Sequence, residues 1–157
     1  MRSFLIDCIR IETLASKTYQ LLANNKAYAK EVCKVFQKLS DDELAHARLI
    51  DLVLQANEKD IEATPMISGE KINHGVNLAE SVLQKVERER LSEEDALRLA
   101  VSLEQQFLKV HVNNAVHFHN LKLAELFNKL GSEDEAHLNT LKECLKWWHA
   151  ERKQQLA

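Results

Sequence analysis

The chain has 157 residues, a net charge of −3 with acidic and basic residues mixed along its length, and only three glycines and one proline. So few turn formers exclude a turn-rich β fold, and the Leu, Ala, Glu and Lys content predicts long helices. The absence of a basic stripe argues against a nucleic-acid or polyanion partner.

No apolar run approaches the ~20 residues of a membrane span, and Asp7 breaks the apolar stretch after Met1, which fits a signal peptide poorly. The expectation is a cytoplasmic protein with no membrane partner. Cys8, Cys33 and Cys144 contain no Cys-x-x-Cys pair. They match neither a disulfide framework nor a zinc or rubredoxin site, and are expected to be buried structural thiols.

Residues 1–157 read as one domain, long enough to bury a real core. Apolar stripes mark four long helices. The first carries Leu5, Cys8, Glu12, Ala15, Tyr19 and Leu22 and ends near Asn24-Asn25. The second carries Val32, Phe36, Leu39, Glu43, His46, Ile50 and Val53 and fades near Asn57. The third opens on Ser92 as N-cap, with Glu93, Glu94 and Asp95 suited to the positive helix end. Its stripe is Leu97, Val101, Glu104, Leu108, His111 and Ala115. The fourth runs through Leu123, Phe127, Leu130, Asp134, His137, Leu141, Cys144 and Trp148, with Gly131 inside it at a cost of roughly 1 kcal/mol against alanine.

The connection between the second and third helices is long. It holds Pro65, Gly69, Gly75 and a short amphipathic run near Val76–Glu89. The joins at Asn24-Asn25 and around Asn113–Asn120 are short. Short, long, short predicts an all-α four-helix bundle: two helix hairpins joined by a long crossover containing a short helix.

Two stretches are near copies: Val35-Phe-Gln-Lys-Leu-Ser-Asp-Asp-Glu-Leu-Ala-His46 and Leu126-Phe-Asn-Lys-Leu-Gly-Ser-Glu-Asp-Glu-Ala-His137. Each ends in a carboxylate followed three residues later by a histidine, Glu43 with His46 and Asp134 with His137. Upstream of each stands a glutamate in a helical apolar run, Glu12 and Glu104, with the spacing slipped by a single residue. All six occupy the apolar stripes. A carboxylate-x-x-histidine step rises ~4.5 Å along a helix and keeps both side chains on one face.

Unpartnered carboxylates inside a bundle cost several kcal/mol each. No lysine or arginine lies on the stripes, whereas two divalent cations would balance four carboxylates. The set is too oxygen-rich for structural zinc and too nitrogen-rich for calcium or magnesium. Iron is favoured, with manganese or a mixed pair as alternatives. Glu43 and Asp134 are expected to bridge, Glu12 and Glu104 to be terminal, and His46 and His137 to bind one ion each.

Tyr19 follows Glu12 by two turns, and His111 holds the same relation to Glu104. Tyr19 reads either as a core tyrosine or as a hydrogen-bond donor or electron carrier beside the metals. His111 reads as a satisfied core histidine, a hydrogen-bond donor or an extra ligand. Asp42 and Glu133 precede the motif carboxylates and either orient the histidine of the opposite motif or face solvent. His74, His117 and His119 are expected at the surface. Trp147-Trp148 is expected to cap the core and form a dimer contact.

From Glu12 to His137 the chain resembles the ferritin-like superfamily of carboxylate-bridged diiron proteins, most closely the rubrerythrin or erythrin branch. Glu12 with Tyr19 is similar to a first-helix pattern of ferritins and their relatives. The resemblance implies the ligands Glu12, Glu43, His46, Glu104, Asp134 and His137. It departs from rubrerythrins in three places: no paired Cys-x-x-Cys, Phe107 where an extra glutamate ligand is usual, and Asp134 in place of glutamate. A six-ligand site nearer to bacterioferritin or simple erythrin-like proteins is implied. So is a dinuclear iron oxidoreductase, a homodimer acting on hydrogen peroxide or dioxygen with electrons from a separate donor. The alternatives are a ferroxidase for iron storage or delivery, a diiron hydroxylase, and a metal-free helical interaction module.

Overall fold

The computed structural model describes residues 2–56, 69–115 and 121–156. Over these residues the chain forms α1 (Arg2–Ala23), α2 (Lys30–Ala56), α3 (Gly69–Arg88), α4 (Glu93–Ala115) and α5 (Leu121–Leu156). Among the described residues the fold is an all-α helical bundle. Helix α1 pairs with α2 and α4 with α5 as the two hairpins, α3 lies against α1, and α2 touches α5 between the hairpins.

The local reasons are visible at the helix ends. The Asn25 side chain accepts from the Ala27 N–H at 3.0 Å, and the Asn25 carbonyl accepts from the Tyr28 N–H at 3.1 Å. This asparagine turn reverses the chain into α2. At α4 the Asp95 N–H donates to Ser92 Oγ at 3.1 Å, the N-cap expected of that serine. Glu93, next to it, is buried: it accepts from the Ala29 N–H, at the start of α2, and from Trp148 Nε1 at 2.6 Å. One carboxylate thus ties α2, α4 and α5 together, a role its place in an acidic first turn did not disclose. The indole of Trp148 serves this clamp, with the Arg152 guanidinium over its ring, whereas Trp147 is exposed.

The crossover helix is longer than the amphipathic run suggested. It starts at Gly69, because Ile72 extends backward the buried spacing of Val76, Ala79 and Val82. Gly75 sits at the close approach: a Cβ there would lie 3.1 Å from Ile11 Cδ1 and 3.9 Å from Val110 Cγ2. Pro65, in the connection before α3, lies outside the described residues, as do His117 and His119 in the second join. His74 is exposed on α3. Cys8 and Cys144 are buried as expected, but Cys33 is only half-buried, its thiol 3.5 Å from the Asn25 carbonyl beside the turn.

Beside the polar positions, Ser16 and Ser40 lock α1 to α2 reciprocally. Ser16 Oγ donates to the Ser40 carbonyl at 2.8 Å and Ser40 Oγ to the Ser16 carbonyl at 2.9 Å. The small side chains let the two backbones approach one turn from Glu12 and Glu43, which sets those carboxylates level.

Gly75 supplies a stability test. In G75A a helix-propensity gain of about 1 kcal/mol is offset by displacing the Ile11 methyl, so the urea midpoint should move little. G75L should destabilise by about 1–3 kcal/mol through overpacking between α3 and α1.

Candidate metal centre

Helix α1 brings Glu12 to the middle of the bundle, α2 brings Glu43 and His46, α4 brings Glu104, and α5 brings Asp134 and His137. The four carboxylates have no exposed surface, and the two imidazoles are buried. Their ligand-capable atoms converge in two groups, each within 4.8 Å: Glu43, Glu104, Asp134 and His137, and Glu12, Glu43 and His46. Glu43 belongs to both. Its Oε2 faces His46 Nδ1 at 3.1 Å and its Oε1 faces His137 Nδ1 at 3.0 Å. Asp134 belongs to one group only, although the sequence had placed it beside Glu43 as a second bridge.

The internal repeat becomes an approximate two-fold relation in space, and its contacts cross from one hairpin to the other. His46 Nε2 meets Glu133 Oε2 at 2.6 Å, and His137 Nε2 meets Asp42 Oδ2 at 3.0 Å. Asp42 and Glu133 therefore orient the histidine of the opposite motif. Ionised carboxylates only accept, so each Nε2 is the donor, and Nδ1 is the nitrogen turned toward the cluster. Tyr19 OH donates to Glu104 Oε1 across the hairpins. His111 reaches the other way, with Nε2 2.9 Å from Glu12 Oε1 and Nδ1 2.5 Å from Asp134 Oδ2. Tyr19 stacks on Phe36 and His111 packs edge-on to Phe127, the aligned phenylalanines of the two repeats. Phe107 is buried in the core, with no donor atom to offer.

The electrostatics follow from crowding charge in a dry space. Burial and the neighbouring Glu12 charge raise Glu43. Burial and the charge of Glu43 raise Glu104 to about 7. Burial also pushes Glu12 upward, but the adjoining Glu43 carboxyl and the nearby His111 and His46 outweigh it and hold Glu12 at about 2. For the imidazoles burial acts downward and the carboxylates win. Glu12 and Glu43 lift His46 to about 11, Glu104 and Glu43 lift His137 to about 10, and Asp134 and Glu12 carry His111 well above its usual value. Protons on the three imidazoles can thus neutralise this interior as well as cations can, without any lysine or arginine on the stripes.

The residues present fit metal ions. Among the described residues, Glu12 Oε1 and Oε2, Glu43 Oε1, Glu104 Oε2, Asp134 Oδ1 and His137 Nδ1 are buried without a properly angled hydrogen bond. His111 does come close to Glu12 Oε1, but not along a hydrogen-bonding direction. Orphaned buried acceptors are costly, and these converge on shared positions, as metal ligands do. Four carboxylates and two imidazoles, each imidazole held from behind by a carboxylate, suit iron or manganese.

A helical bundle in which two hairpins each contribute a glutamate and a carboxylate-x-x-histidine pair to one buried cluster defines a ferritin-like carboxylate protein. Residues 3–145 match the rubrerythrin family model, and the chain belongs to the rubrerythrin family. Comparison with curated proteins finds no match, and comparison with solved structures finds none. No described helix is long and apolar enough to cross a membrane.

The shifted groups set a pH dependence for protein stripped of metal by a chelator. His46 and His137 keep their protons to about 11 and 10 when folded, against 6.5 ordinarily. Their contribution to stability is complete below pH 6.5 and is lost as pH rises through those folded values. Glu104, raised to about 7, works in the same direction, because its ionisation disfavours the folded state. Thermal melting should therefore fall by several degrees between about pH 6.5 and about pH 9.5. Metal binding should release protons, seen in calorimetry as heats that change with the buffer's ionisation enthalpy.

Proposed function

We propose that this chain is a dinuclear iron oxidoreductase that reduces hydrogen peroxide or dioxygen with electrons from a separate donor. One observation carries the reading: six buried ligand-type side chains converge from four helices with orphaned atoms facing common points. Glu43, Glu104, Asp134 and His137 would hold one ion and Glu12, Glu43 and His46 the other. Iron bound there supplies reversible one-electron chemistry at each metal.

The chain's own residues do the rest. Asp42 and Glu133 fix His137 and His46 with Nδ1 inward, so each imidazole is pre-oriented. Tyr19 OH donates to Glu104 Oε1 and can hold a proton at that oxygen. The core packed around Tyr19, Phe36, Phe107 and Phe127 excludes water and strengthens every charge interaction inside. A surface cavity of about 280 Å³, lined by Lys38, Asp42, Leu49, Lys129 and Glu133, opens onto His46 and His137. It places the outer nitrogens of both imidazoles next to the protein surface, where protons can arrive through the two carboxylates.

Anaerobic loading with two ferrous equivalents per chain followed by peroxide is the direct test. The expected result is stoichiometric ferrous oxidation and peroxide loss faster than with free ferrous iron. No loss beyond free iron removes the peroxide reading, and a large multi-subunit shell on size exclusion with accumulating ferric iron supports iron storage in its place. Elemental analysis of variants provides a second check. E43A should lose metal from both positions because its carboxylate belongs to both, whereas E12A should lose it from one.

A further inference from the structure

The two halves of the centre are not equivalent. Glu43 serves both groups of ligand atoms, while its counterpart Asp134 serves only the group containing Glu104 and His137. The contact that distinguishes them is His111. Its Nδ1 lies 2.5 Å from Asp134 Oδ2 and its Nε2 2.9 Å from Glu12 Oε1. The ring is 1% exposed and sits edge-on to Phe127, with centroids 5.7 Å apart. Both nitrogens face carboxylates, and His111 falls in neither ligand group. Tyr19, which occupies the matching place in the other hairpin, has a single hydroxyl and engages the terminal carboxylate Glu104. An imidazole at this place meets two carboxylates, Asp134 through a hydrogen bond and Glu12 through close approach, where a phenol meets one.

We infer that His111 is a positioning residue that makes the two ion positions unequal, by holding Asp134 away from the Glu12–His46 position. This rests on the dinuclear reading above and adds to it an order of loading. The first divalent ion takes Glu43, Glu104, Asp134 and His137, and the second binds more weakly to Glu12, Glu43 and His46. A chain with one ion bound is then a populated species, and two different divalent metals can be taken up in sequence.

The test is titration of the full chain, stripped of metal by a chelator, with cobalt(II). Calorimetry and the visible cobalt absorption bands report affinity and ligand number. Wild type should bind in two steps whose dissociation constants differ roughly tenfold or more, the scale on which residues behind the ligands tune metal affinity. H111Y, which leaves one donor as at Tyr19, should bring the constants within about threefold, with a changed spectrum for the second cobalt as Asp134 joins it. H111F keeps the ring against Phe127, has no donor, and gives the same reading if H111Y fails to fold. D134E with His111 intact should keep the steps unequal, since the longer carboxylate is still gripped.

Two equal steps in wild type, the wild-type ratio retained in H111Y and H111F, or equalisation in D134E alone each overturn the inference. In the last case carboxylate length, rather than His111, makes the difference. These outcomes leave the metal centre standing. Failure of wild type to take up any cobalt, iron or manganese overturns the dinuclear reading itself.

Discussion

Four carboxylates with no access to water are the constraint on which this structure depends. Each unpartnered charge in such a place would cost several kcal/mol, and the ion pairs made by Glu12, Glu43, Glu104 and Asp134 are with imidazoles. Three histidines can carry protons there, and metal ions can replace those protons with concentrated charge. A fold that places so many acid groups in its interior gives up hydrophobic burial for a cluster of metal-ligand type.

The internal repeat turns this constraint into architecture. Each hairpin supplies ligand-type residues, but the groups set against them come from the other hairpin: Glu133 against His46, Asp42 against His137, Tyr19 against Glu104, His111 against Glu12. Neither hairpin alone can satisfy its polar interior. Within the first hairpin the paired serines Ser16 and Ser40 fix the level of Glu12 against Glu43. At the bundle end, Glu93 ties the starts of α2 and α4 to the last turns of α5. Polar contacts thus set the register that interchangeable apolar packing would leave loose.

Much of the fold was legible because it is local. The apolar stripes of the four long helices, the Ser92 cap and the short first turn follow from helical periodicity and side-chain hydrogen bonding. The backward extension of the crossover helix to Gly69 was not legible. Gly69 and Gly75 stand ahead of the amphipathic run that marked the helix, and only the approach of α3 to Ile11 shows why Gly75 belongs inside it. The six candidate ligands were visible as polar residues at apolar positions, repeated in register. The burial of Glu93 was not, since an acidic first turn is also what a solvated helix start looks like.

The sequence by itself determined which side chains would share an inward face, because backbone periodicity ties face to spacing. It thereby determined the bundle and the ligand-type residues within it. Only the tertiary structure decided who touches whom across the hairpins: that Asp42 and Glu133 back the opposite histidines, that Glu43 spans both groups while Asp134 does not, and that His111 stands between Glu12 and Asp134. Those choices depend on the rotation and sliding of one hairpin against the other. Long-range packing sets those degrees of freedom, and no local spacing encodes them.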